Sequence, residues 1–102
     1  MTLSKKQKIY LRGLAHDLSP MIQVGKNGVT ETFTASLEKT LDDHELIKMK
    51  FQAFKEDKDD LTEIIVDEVG AELIGRVGNI AILYRQNKNP EKQKIKIPSD
   101  IK

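Results

Sequence analysis

Val24-Gly25-Lys26-Asn27-Gly28-Val29-Thr30 is the stretch on which the reading of this chain turns. Apolar residues (Met21, Ile22, Val24) run into it and a helix start follows it. Gly and Asn tolerate positive φ, so the tetrad Gly25 to Gly28 can reverse the chain sharply and turn backbone N–H groups outward. Thr30 is a good N-cap for the helix that follows, and Glu31 suits the positive end of its dipole. A strand of about 21–24, a glycine turn and a helix therefore follow in direct succession. The same arrangement offers unpaired amides, a helix N-terminus and the Lys26 charge to a phosphate. A plain strand-to-helix turn without a ligand has the same local signature, and the stretch alone leaves both readings open.

Upstream, Ser4 and Gln7 form a capping-box pattern, and Leu11, Leu14, Ala15 and Leu18 recur on one helical stripe. A first helix over residues 5–18 is expected, closed by Ser19-Pro20. Lys5, Lys6, Lys8 and Arg12 mostly avoid the stripe and project from its first two turns. Lysines at a helix start oppose the dipole, so stability alone does not account for them.

Downstream, Phe33, Leu37 and Leu41 mark a second helix to about residue 43, closed by His44. Residues 46–54 alternate, with Ile47, Met49, Phe51 and Ala53 on one face and Lys48, Lys50 and Gln52 on the other, the pattern of a half-buried strand. The charged run Lys55 to Asp60 leads into a third helix carrying Leu61, Ile64, Ile65 and Val69, with Gly70 as its natural end. Ala71 to Ile74 and Ile80 to Tyr84 read as a hairpin turned at Gly75-Arg76-Val77-Gly78. The second of these strands is apolar on both faces and belongs inside a sheet.

The order αβαβαββ predicts an α/β sandwich, a mixed four-stranded sheet with three helices. Its β-α-β steps are expected to place parallel strands side by side, and the last two strands to pair antiparallel. Residues 1–86 form the expected domain, and residues 87–102 a basic tail in which Ile95 and Ile97 add a short edge strand or pack locally.

At 102 residues, 38% apolar and 32% charged, one globular domain is expected. The opening MTLSKKQKIY lacks the apolar core of a secretory leader, and no run is long enough for a membrane span. The chain has no cysteine, which fits a reducing cytoplasm and excludes thiolate metal sites. Its two histidines, His16 and His44, sit at helix ends and suggest neither a metal site nor a catalytic pair. No enzyme activity and no cofactor are expected. The net charge of +1 conceals strong segregation: residues 1–28 carry +4, 29–47 carry −4, 48–55 carry +3, 56–72 carry −7 and 73–102 carry +5. One basic and one acidic face would follow if the fold keeps the blocks apart. A basic helix, a lysine-tipped glycine turn, a lysine strand face and a basic C-terminus suit a nucleic-acid backbone, and with 5% aromatic residues recognition of backbone and shape is expected over base-by-base reading. The alternative is a protein-interaction module that docks through the acidic second and third helices.

The segments SKKQKIYLRGLAH, IQVGKNGVT, HELIKMKF and IAILYR, in that order over about residues 4–86, resemble the small bacterial YhbY-type proteins, the single-domain form of the CRM family of RNA-binding proteins. The resemblance implies a fold similar to the C-terminal domain of a bacterial translation initiation factor. It also implies binding to RNA, in particular ribosomal RNA in precursors of the large subunit. A monomer without a membrane partner is expected. It maps an RNA-gripping Gly-x-x-Gly loop onto Gly25, Lys26, Asn27 and Gly28 and a basic first helix onto Lys5, Lys6, Lys8 and Arg12. Lys48, Lys50 and Arg85 are added as flanking cations, and Arg76 as a weaker candidate.

Overall fold

The computed structural model describes residues 3–102; Met1 and Thr2, which open the expected domain, lie outside the described residues. The chain forms α1 (Lys5–Ala15), β1 (Ile22–Val24), α2 (Glu31–His44), β2 (Leu46–Phe51), α3 (Lys58–Val69), β3 (Glu72–Val77) and β4 (Ile80–Tyr84), with short 3-10 turns at Lys55–Asp57 and Pro90–Lys92. The four strands make one sheet in the order β1-β2-β4-β3. Strands β1 and β2 are parallel, and β4 is antiparallel to both of its neighbours. The αβαβαββ order and the mixed sheet are those read from the sequence.

One expectation about neighbours fails. Strands β2 and β3, joined through α3, are not adjacent, because β4 lies between them. The reason is the double apolar face of β4. Ala81 and Leu83 enter the core beneath α2 and α3, while Ile82 and Tyr84 enter a second core beneath α1. A strand that buries both faces is most stable inside the sheet, and β3, with Arg76 and Val77 exposed, takes the edge.

Several boundaries also shift. Helix α1 ends at Ala15 rather than residue 18, and Leu14 lies 42% exposed off the buried stripe. The Lys48 ammonium donates to the carbonyls of His16 (3.3 Å) and Leu18 (2.9 Å), satisfying acceptors where the helix unwinds. Strand β2 stops at Phe51 instead of residue 54. Its partner β1 is only three residues long, and the Val24 carbonyl takes the N–H groups of both Gln52 (3.0 Å) and Ala53 (3.2 Å), bending the chain out of the sheet. The hairpin turn is Gly78-Asn79, with Gly78 at φ +58°, and not the whole tetrad Gly75 to Gly78. Gly75 lies within β3 beside a register shift. A Cβ there would meet Arg12 Nε at 2.9 Å, so this glycine admits the Arg12 side chain rather than making a turn.

Residues 87–102 form no strand. Ile95 and Ile97 pack on the core beneath α1, and a buried carboxylate fastens the segment. Glu45 accepts hydrogen bonds from the backbone N–H groups of Asn87 (2.6 Å), Lys94 (2.6 Å) and Ile95 (2.8 Å). Its own backbone takes φ +64° to reach them, a conformation strained for any residue with a Cβ.

Glu45→Ala keeps that backbone strain and removes only the carboxylate. The expected result is fast hydrogen exchange at the Asn87, Lys94 and Ile95 amides, with a stability loss of roughly 3 kcal/mol from three abandoned charge-assisted bonds. Unchanged exchange at these amides would show that the tail is held by other contacts. Tyr84 gives a second test. Burial, and secondly the Glu45 carboxylate, hold its phenol above the ordinary value of 10.0. The folded chain then keeps this proton where the unfolded chain loses it, so the Tyr84 contribution is complete below about pH 10 and lost as pH rises through the folded value. Denaturation midpoints measured from about pH 8 to about pH 11 should fall at the alkaline end, and less steeply in Tyr84→Phe.

Candidate nucleic-acid interface

The Gly25 to Gly28 turn stands at the end of the sheet where β1 and β2 finish, since Val24 is in register with Phe51. The Gly28 N–H donates to the Gly25 carbonyl at 3.0 Å and closes the turn. Gly28 takes φ +71°, and the edge of the Phe54 ring lies 3.3 Å from where its Cβ would be. Gly25 has open space at its Cβ position. The Thr30 hydroxyl accepts the Phe33 N–H at 3.1 Å, capping α2 as expected. Among the described residues, the amides of Lys26 and Asn27 donate to no protein acceptor, and both residues are exposed. The Lys26 ammonium pairs with no carboxylate among the described residues. The turn therefore presents free amides, one free cation and the positive end of α2, partly offset by Glu31 in the first turn of that helix.

The other predicted cations divide into free and engaged. Met49 and Phe51 face the core beneath α2 and α3, so Lys48 and Lys50 face the α1 side. Lys50 is exposed and lies in register with Gln23, close to the glycine turn. Lys48 is committed to the carbonyls at the end of α1. Lys5, Lys6 and Lys8 make no ion pair among the described residues; Lys5 and Lys6 are exposed, while Lys8 is half-buried beside the stripe of Leu11 and Ala15. Helix α1 starts near Leu3, which shares a groove with Tyr84 and Arg85, at the end of the sheet opposite the glycine turn. An 11-residue helix is about 16 Å long, so one ligand touching both Lys5 and Lys26 must run the length of this face. Arg12 lies across Gly75 and donates to the Ile74 carbonyl at 3.4 Å, leaving its charge on the surface.

Arg85 is placed elsewhere. Its guanidinium, 20% exposed, bonds the carboxylates of Glu38 (2.6 Å) and Asp42 (2.8 Å) and the Val69 carbonyl (2.9 Å), tying α2 to the end of α3. Arg76 pairs with Asp59 (3.1 Å) and Glu63 (3.4 Å) of α3. Both arginines are neutralised on the acidic side and stand apart from the glycine turn.

The segregated charge survives folding. Helix α1, with three lysines, one arginine and no acid, covers one face of the sheet, and the tail packs Ile95 and Ile97 on the same core with Lys94 and Lys96 exposed beside them. Helices α2 and α3, which hold most of the acidic residues, cover the other face. Among the described residues, no group of three or more histidines, aspartates and glutamates is placed to hold a metal ion, and no helix is long and apolar enough to cross a membrane.

One residue beside the turn escaped the sequence reading. The alternation of residues 46–54 includes Phe54 and puts it on the open, lysine-bearing face. An aromatic residue at a polar position was the available signal that the strand ends before it.

The chain is similar to known proteins over nearly its whole length. The chain is 44% identical over 98 residues to an RNA-binding protein of Haemophilus influenzae, covering 95% of this chain and 96% of the relative. It is 38% identical over 97 residues to the YqeI protein of Bacillus subtilis, covering 94% and 99%. The solution structure of a Staphylococcus aureus protein, 34% identical, superimposes with a TM-score of 0.75 over 93% of this chain and all of that one. The model of the CRS1 / YhbY (CRM) domain matches residues 3–85, every strand and helix of the sheet domain, and the chain belongs to that family of RNA-binding proteins.

Proposed function

We propose that this protein binds ribosomal RNA in precursors of the large ribosomal subunit and assists their assembly, as a cytoplasmic monomer and without catalysis. The observation that carries the reading is the pair of amides, those of Lys26 and Asn27, that donate to no acceptor among the described residues, on the rim of a face where Lys5, Lys6, Lys8 and Lys50 make no ion pair among those residues. Phosphate needs hydrogen-bond donors and positive charge together, and the Gly25 to Gly28 turn offers both at one point. The family resemblance, which implies a fold similar to a translation initiation factor domain, supports the ribosomal assignment. Lys26, Lys50, Lys5, Lys6 and Lys8 supply the contacting charge. Arg12 supports the face from α1, while Lys48 and Arg85 hold the fold.

Lys26→Glu should weaken binding to a ribosomal RNA fragment roughly tenfold and lower the salt slope by about one, with the melting temperature unchanged. Reversing Asp67 and Glu68 on α3 should leave RNA binding intact, whereas docking of a protein through the acidic helices would be lost. Binding that ignores both salt and Lys26 would sink the cradle. Co-sedimentation with large-subunit precursors, abolished by RNase, tests the assembly role; a protein found only at the top of the gradient removes it.

The two glycines of the turn should behave differently. Gly28→Ala meets the Phe54 ring and a positive φ, and should cost about 1–2 kcal/mol of stability. Gly25→Ala has room for its methyl group and should stay within about 0.5 kcal/mol of the parent. It should nonetheless weaken RNA binding, because that methyl group crowds a phosphate approaching the amides. Equal RNA affinity for Gly25→Ala and the parent in a filter-binding titration would contradict close backbone approach.

A further inference from the structure

Two residues other than glycine take positive φ among the described residues, Glu45 and Phe54. The strain at Glu45 is explained by the three amides its carboxylate collects. The strain at Phe54 is not repaid inside the fold. Its backbone sits at φ +55°, ψ +36°, in the left-handed region, which is strained for a residue with a Cβ. Its side chain is 43% exposed, so burial offsets only part of that cost, and the edge of the ring rests against Gly28. Asn or Gly would make the same turn with less strain.

The surroundings fix where the ring stands. The N–H groups of Gln52 and Ala53 both donate to the Val24 carbonyl, one residue before Gly25, and the Phe54 carbonyl accepts from Asp57 at 3.0 Å. The bend that carries the ring and the turn that carries the free amides thus hang from one carbonyl group. Lys55 follows directly, exposed and in no ion pair among the described residues. An aromatic surface held partly open, beside donors for phosphate and flanked by Lys26 and Lys55, matches one nucleotide: the phosphate meets the turn and the base meets the ring.

We propose that Phe54 is a stacking platform for an unpaired RNA base whose adjoining phosphate sits on the Gly25 to Gly28 turn. The proposal rests on the RNA-binding reading above and deepens it by naming the substrate class, single-stranded or bulged RNA. A base inside a duplex is already stacked on both sides and offers no free face to the ring. Stacking accepts any base, so the preference is for unpaired structure and not for sequence.

The test compares the parent, Phe54→Gly, Phe54→Tyr and Lys26→Glu for binding to a 12-nucleotide single-stranded RNA and to a blunt duplex containing the same strand. Phe54→Gly relieves the backbone strain, so it should melt no lower than the parent. It should still lose roughly tenfold in affinity for the single strand, with the salt slope unchanged, because a stacked ring releases no counterions. Phe54→Tyr should bind as the parent does, and duplex binding should be nearly insensitive to either change. Phe54→Trp adds a spectroscopic reading, since the chain has no tryptophan of its own: stacking should quench its emission on single-stranded RNA and not on the duplex. Parent-like affinity of Phe54→Gly for the single strand, with Lys26→Glu weakened, overturns the platform and leaves RNA binding standing. Equal losses on single strand and duplex overturn it too, since the ring would then be shaping the turn. A parent protein that binds neither RNA brings down the functional reading, and the platform falls with it.

Discussion

The two-sided apolar character of Ile80 to Tyr84 governs the architecture. A strand with Ala81 and Leu83 on one side and Ile82 and Tyr84 on the other needs cover on both, and it finds it only between β2 and β3. Once β4 is interior, the sheet has two cores. Helices α2 and α3 close one, and α1 with the C-terminal segment closes the other. The charges then sort themselves, because the basic and acidic residues belong to helices on opposite faces. A net charge of +1 becomes a molecule with two unlike sides, able to attract a polyanion to one of them and to orient on approach.

The Val24 carbonyl has a comparable role on a smaller scale. With β1 only three residues long, this carbonyl lies at the edge of the ladder and collects two N–H groups from the chain leaving β2. That double acceptance stops β2 at Phe51 and aims the following residues back toward the glycine turn. Gly28 then meets Phe54, which is why the second glycine of the pair is constrained by both φ and space while the first is constrained by neither. At Gly25 neither space nor a positive φ within the fold requires the absence of a side chain.

Much of this was legible from local patterns. The Ser4–Gln7 capping box, the Thr30 cap and the Gly70 terminus each rest on contacts within a few residues, and all three form. The strand content followed from alternation and from the double apolar run. What local patterns do not contain is partnership across the chain. The end of α1 depends on Lys48, more than thirty residues away. The place of Gly75 within a strand depends on Arg12. Phe54 leaves the sheet because of Val24, and the tail is fastened by Glu45, whose neighbours in sequence give no hint of three distant amides. Each of these is one long-range hydrogen bond or close approach, invisible to periodicity.

The same limit applies to charge. Lys48, Lys50 and Arg85 look alike in sequence as cations near strand ends, yet folding gives them different work. Lys48 satisfies carbonyls just past the end of α1 and Arg85 fastens α2 to α3 through the Glu38 and Asp42 carboxylates and the Val69 carbonyl, while Lys50 makes no ion pair among the described residues. A cation already paired at 2.6–2.8 Å offers an incoming phosphate little, because binding it would first require breaking charge-assisted bonds. The capacity of a surface for RNA is therefore set by its unpaired cations and amides and not by its count of basic residues. By that measure the strongest point among the described residues is the rim at the end of β1 and β2, where the free amides of Lys26 and Asn27, the Lys26 ammonium and Lys50 are found. The exposed lysines of α1, Lys5 and Lys6, add positive charge to the helix that covers the same side of the sheet.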